Sequence, residues 1–180
     1  DDSDVDENIF NDSKGFAEAR EALAAGTSFD SGADSVGVSA KFLTENRDQA
    51  VELMRSALVD PRFDQDAVDR VREQVLSNLR ANEKDPGTIA SEKFDALGFG
   101  DHPYATTADG TIETVTKLTR DDVVAAHKAA IARDRVFVAA SGDITAEELG
   151  KLLDRLLGDL PATGAPQPGA APWLLPPGVT

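Results

Sequence analysis

The sequence predicts an α+β fold, an antiparallel sheet flanked by helices, over residues 1–160, with a Pro/Gly-rich connector over residues 161–180. Three observations carry that prediction. Apolar residues recur at spacings of three and four in five or six segments, as amphipathic helices require. Two further segments carry strand patterns, one alternating and one continuously apolar. With 41% hydrophobic and 28% charged residues, the 180-residue chain has a globular composition and the length to bury a core.

The elements follow in order. "SKGFAEAREALAAG" is a helix with Ser13 as N-cap and Gly26 as its stop, and Phe16, Arg20, Leu23 and Ala24 share a face. In "DSVGVSAKFL", Val36, Val38, Ala40 and Phe42 alternate with small or polar residues, a strand with one face buried. "TENRDQAVELMRSALVD" returns to helical spacing, capped by Thr44 and stopped before Pro61, with Ala50, Leu53, Met54, Ala57 and Leu58 inward. The methionine there reads as core filler rather than a ligand.

A helix from near Asp64 contains "VDRVREQVLSNL" and ends at Asp85-Pro86. Val68, Val71, Val75 and Leu79 form its apolar stripe, with Asn78 at the border. "TIASEKFDALGF" is a shorter helix closing on Gly98, and "GDHPYATTADGTIETV" reads as loop. "LTRDDVVAAHKAAIA" starts at Thr119 with Asp122 three residues on, a near capping box. "DRVFVAASGD" carries the apolar run Val136–Ala140 of a fully covered strand, and "TAEELGKLLDRLLGDL" is an amphipathic helix with Thr145 and Glu148 as cap and N3. Two strands are fewer than the three that a stable sheet usually needs, so sheet partners are expected outside this chain. The tail holds six of the nine prolines, and its lone tryptophan, Trp173, predicts that part of it lies against a surface.

Charge and composition narrow the function. Thirty-three acidic against 18 basic residues give a net charge of −15, which repels nucleic acid and anionic membranes. The chain has no cysteine, which removes disulfides and thiolate metal sites. No apolar run approaches the roughly 20 residues of a membrane span. "DDSDVDENIF" lacks the regions of a signal peptide, so the chain reads as a processed or truncated product. No phosphate-binding glycine loop and no nucleophile elbow appear. His127 shares a face with Val123, Val124 and Ile131 and reads as a packed histidine. His102, before Pro103, sits in an extended loop where a structural hydrogen bond is favoured over catalysis.

Four stretches, taken in order and spacing, carry a resemblance. "DSVGVSAKFL", "LTENRDQAVELMRSALVDPRFDQDAVDRVREQVL", "FGDHPYATTADGTIETVTKLTRDDV" and "VFVAASGDITAEELGKLLDRLLGDLP" together resemble the insulinase-like zinc metallopeptidases, the group of pitrilysin and the mitochondrial processing peptidases, especially their bacterial members. The similarity runs from Asp4 to Pro161. It implies most of one LuxS/MPP-like α+β repeat, incomplete at its N-terminal side, with residues 161–180 leading to a second domain.

In active relatives, H-x-x-E-H on a helix supplies two zinc ligands and a general base, and a glutamate on a later helix is the third ligand. The resemblance places that glutamate on Asn78 and a second acidic residue on Val71, while His102, Pro103 and Tyr104 form a loop motif of structural role. An amide is a poor zinc ligand beside a carboxylate, because it adds no charge to offset the metal. H-x-x-E-H is absent and would fall at or before the first residues.

The resemblance thus implies no catalytic or metal-binding residue and no cofactor in this chain, with zinc held by an active partner or relative. Its partners would be an active metallopeptidase subunit, or a second domain of the same protein, and extended peptides. The implied function is a non-catalytic subunit or domain that completes a peptide-binding chamber. The alternatives are a fragment of an active zinc metalloendopeptidase whose motif lies upstream, and a structural core-type subunit. The bacterial relatives imply the periplasm.

Overall fold

The computed structural model describes residues 13–176 and Gly178. The acidic stretch 1–12 and the side chain of Ser13, the expected first cap, lie outside the described residues. Two compact units make up the chain. The first holds residues 13–31, 35–64 and 124–165, and the second holds residues 32–34, 65–123 and 166–176.

The first unit opens with α1, Ser13–Ala22. It stops before the Gly26 that the sequence offered as terminator. Ala24 takes the left-handed conformation instead (φ 48°), with Ala25 N–H donating to Arg20 O and Ala24 N–H to Glu21 O, both at 3.0 Å. These are the paired bonds of a Schellman stop, made without glycine. Gly26 opens β1, Gly26–Ser31, which pairs antiparallel with β2, Val36–Lys41, from Gly26↔Lys41 to Ser31↔Val36. β1 escapes a sequence reading because "GTSFDS" is polar apart from Phe29. The predicted alternation holds for Val38, Ala40 and Phe42, which are half-buried between exposed neighbours, but Val36, expected on the same face, is exposed at the end of the strand.

α2, Arg47–Val59, follows a 3-10 turn at Thr44–Asn46. Thr44 is not its cap. The residue before the helix is Asn46, whose amide reaches away and donates to Leu23 O at 2.9 Å. α2 buries Ala50, Val51, Leu53 and Leu58. It packs with α7, Ala146–Leu157, around Val51, Leu58 and Leu156, joined by Val38, Phe42, Met54, Ile131, Leu152 and Leu157. At 25 cal/mol per Å², each fully buried aliphatic side chain here contributes about 1.5–3 kcal/mol. Arg55–Asp159 and Arg155–Asp48 ion pairs border this core.

The run Val136–Ala140 is not a strand. No strand pairs with it among the described residues, and Phe137 is 98% exposed. A covered strand exists only where a ladder and two packed faces satisfy it, and apolar composition alone supplies neither.

In the second unit, α3, Gln65–Asn82, buries Leu76 and Leu79. The predicted stripe is rotated towards Leu76. Val68 and Val75 are half-buried, while Val71 is exposed. Arg72 fills part of the buried side, its guanidinium donating to Leu118 O at 2.8 Å. α4, Pro86–Phe99, starts at the dipeptide expected only as a stop. The Asp85 carboxylate accepts from Thr88 N–H at 2.7 Å and Pro86 takes the first helical position. α4 ends at Gly100 (φ 59°), two residues beyond the expected Gly98.

The expected loop beyond it holds a 3-10 turn, Pro103–Ala105, and a short helix α5, Ile112–Lys117, set by a Thr111–Thr114 capping box. The chain passes from one unit to the other within α6, Arg120–Ala130. Among the described residues no helix is long and apolar enough to cross a membrane.

Candidate functional site

The face of α3 that carries Asn78 is built by helical spacing. Val71, Gln74, Asn78 and Ala81 lie on one side of the helix over about three turns, all exposed. Leu76 and Leu79 anchor the opposite side, so the packing of α3 turns this strip outward. In a chain with 33 carboxylates, the strip carries none. Glu73 and Glu83 are each five residues from Asn78, well round the helix from it.

Among the described residues no three His, Asp or Glu side chains gather as a metal site would require. The strip therefore does not fit a zinc ion. It offers two side-chain amide oxygens, those of Gln74 and Asn78, and no charge, where the metal needs imidazole or carboxylate partners.

The loop motif lies in the same unit, after α4. His102 has extended backbone (φ −72°, ψ 148°), as a residue before proline must, and it caps the 3-10 turn. Its Nδ1 accepts from Tyr104 N–H at 3.2 Å, so Nε2 carries the proton and donates to Gly169 O at 3.1 Å. Tyr104 packs edge-on against His102 and Phe99 and donates its hydroxyl hydrogen bond to Asp34. That bond to the carboxylate, with burial second, raises the phenol above its ordinary value. These partnerships hold a loop in shape. Both imidazole nitrogens of His102 are engaged by backbone, which leaves neither for a metal.

His127, in the first unit, stands edge-on to Phe63 with ring centroids 5.4 Å apart. Burial, with the nearby Lys128 charge second, lowers its pKa, which is the behaviour of a packed imidazole.

Two features escaped sequence reasoning. Asp34 has no signal of its own, since its partner Tyr104 is 70 residues away. The seat of Trp173 is the other. The tail's lone tryptophan pointed to a surface without saying which one. The ring lies on Gly98 between Phe94 and Phe99, with centroid distances of 5.6 and 5.4 Å.

Comparison with known proteins adds the following. Residues 117–179 match a family model described as the Peptidase M16 inactive domain. The chain is 28% identical over 147 residues to the Helicobacter pylori protein named Non-peptidase homolog YmxG, covering 82% of this chain and 34% of that protein. It is 26% identical over 124 residues to the mitochondrial-processing peptidase subunit beta of Neurospora crassa, covering 69% of this chain and 26% of that subunit. The chain thus spans about a third of the length of these relatives, or less.

Among solved structures, a peptidase M16 inactive domain from Pseudomonas fluorescens superposes with a TM-score of 0.81 at 24% identity, covering 90% of this chain and 40% of that one. Pitrilysin superposes with a TM-score of 0.68 at 14% identity, covering 92% and 19%. Likeness at these identities shows the shared α+β fold.

Proposed function

We propose that the chain, which is similar to the insulinase-like, or M16, peptidases, is a non-catalytic part of such a protein. It pairs with an active subunit, or with a further domain of its own protein, to complete a chamber that holds an extended peptide. The observation that carries this reading is the neutral, outward strip around Asn78 on α3. A third zinc ligand is ordinarily an imidazole or a carboxylate, and Val71, Gln74, Asn78 and Ala81 supply neither. The name of the Helicobacter pylori relative, a non-peptidase homologue, supports the same reading. The net charge of −15 favours basic peptides over acidic ones at long range.

No hydrolytic step is derived from these residues. In the proposed assembly, the zinc and the general base come from the partner. α3 keeps its architectural work, burying Leu76 and Leu79 and holding Leu118 through Arg72.

Elemental analysis of the metal-replete, full-length protein tests the reading, together with peptide cleavage assayed with and without a chelator. The expected result is less than stoichiometric zinc and no chelator-sensitive cleavage by the protein alone. Activity should appear on adding an active family member that copurifies with it. One zinc per chain that is lost in Asn78→Ala would overturn the reading. It would favour a fragment of an active peptidase instead.

A further inference from the structure

The Pro/Gly-rich tail is seated at two glycines. A Cβ at Gly98 would stand 2.8 Å from Trp173 Cζ3, and one at Gly100 would stand 2.8 Å from Leu174 Cδ1. Neither distance can accommodate a side chain without displacing the tail. Between the two glycine contacts, Leu174 N–H donates to Gly98 O at 2.8 Å, using a carbonyl from the last turn of α4. Further back along the tail, His102 Nε2–H holds Gly169 O. The glycine notch, the aromatic pair Phe94 and Phe99, and one histidine thus receive a single extended segment.

We propose that residues 169–174 form a latch. The segment docks on the C-terminal end of α4 and leaves it as a unit, while the helices stay folded. Three features give it this character. Its described hydrogen bonds and ring contacts are few and fall on α4 and His102. Segments held by so few contacts open at a small fraction of the global stability. Trp173 keeps 53% of its surface in water even when docked, so the seat covers only about half of the residue. Pro172 within the segment, with Pro166, Pro168 and Pro176 beside it, restricts the conformations of the free chain, which lowers the entropy lost on docking. Whether the latch is closed decides the direction in which the chain leaves α4 after Leu175. This inference stands independently of the zinc-site reading.

Trp173 is the only tryptophan, so its emission reports the latch alone. Fluorescence and acrylamide quenching of the full 180-residue chain are compared with two variants. Gly98→Ala fills the notch while improving the helix propensity of α4. Leu174→Pro removes the N–H that bonds Gly98 O and touches only the tail. Both variants should shift the emission to the red and raise the quenching constant about twofold, with far-UV helicity held. Unchanged emission and quenching in a folded Leu174→Pro chain would overturn the latch. So would loss of helicity in that variant, since the tail would then be an integral part of the fold rather than a separable device. A Gly98→Ala chain that fails to fold leaves the decision with Leu174→Pro.

Discussion

His127 shows how one side chain sets a pH response. Packed on Phe63 and half-buried, it is held below its ordinary pKa, chiefly by burial. The unfolded imidazole titrates near 6.5, so below that pH the unfolded chain binds the proton more readily than the folded one. His127 therefore contributes stability that is present above about pH 6.5 and is lost as pH falls towards the folded value. Urea denaturation at intervals from pH 7.5 to 5 should show the midpoint falling with acid, and His127→Phe should flatten that decline. An equal slope in both proteins would remove His127 from the account. The packing role was legible from the sequence, because Val123, Val124 and Ile131 share its face. Phe63 as the partner was not, since it lies on a loop outside any periodic pattern.

At the scale of elements, the Thr119 and Thr145 capping boxes were the most legible features, although the Thr111–Thr114 box was read as loop, and the strands were the least. Thr145 and Glu148 satisfy each other's backbone at 2.9 and 3.3 Å, and Thr119 and Asp122 do so at 2.9 and 3.2 Å, as their i, i+3 spacing predicts. Every group in such a box lies within four residues, so the sequence contains the whole interaction. Thr145→Ala should cost about 1 kcal/mol in chemical denaturation, and Thr145→Ser should recover most of it. α7 is the helix to test because it carries Leu156 into the core.

Strands depend on partners, and here local pattern misled in both directions. "GTSFDS" has almost no strand signal and pairs because β2 lies opposite, while "VFVAA" has a strong one and pairs with nothing described. The rotation of α3 has the same origin. Leu76 outweighs Val71 through what packs against the helix, and periodicity cannot see that. At the candidate site, the position of Asn78 at a border was legible, but its exposure came only from that rotation.

For the molecule as a whole, two surface properties oppose each other. Phe137 at 98% exposure, with Val138 beside it, offers an apolar extended edge that invites pairing with another chain. The net charge of −15 keeps copies apart. Salt decides between them, because the screening length falls from about 10 Å at 0.1 M to about 3 Å at 1 M. Sedimentation of the isolated 180-residue chain should show a monomer at low salt and reversible association near 1 M sodium chloride. Phe137→Asp should remain monomeric throughout. Association that weakens as salt rises would place its cause in charge rather than in the apolar edge. The sign of the net charge was plain in the sequence. The exposure of Phe137 was not, since it follows from the missing ladder.

The corner at Asp85-Pro86 has a mechanical consequence. Only Glu83, Lys84 and Asp85 separate α3 from α4, and the backbone N–H of each is bonded back to Leu79, Ala81 and Asn82. Pro86 and the Asp85 cap then fix the first turn of α4. α4, with 14 residues, is a lever arm about 21 Å long. A tilt of about 5° at the elbow carries its far end, where Gly98 receives Trp173, through about 2 Å. A disturbance of α3, such as a partner pressing on the Asn78 strip, is thereby amplified at the point where the tail is held.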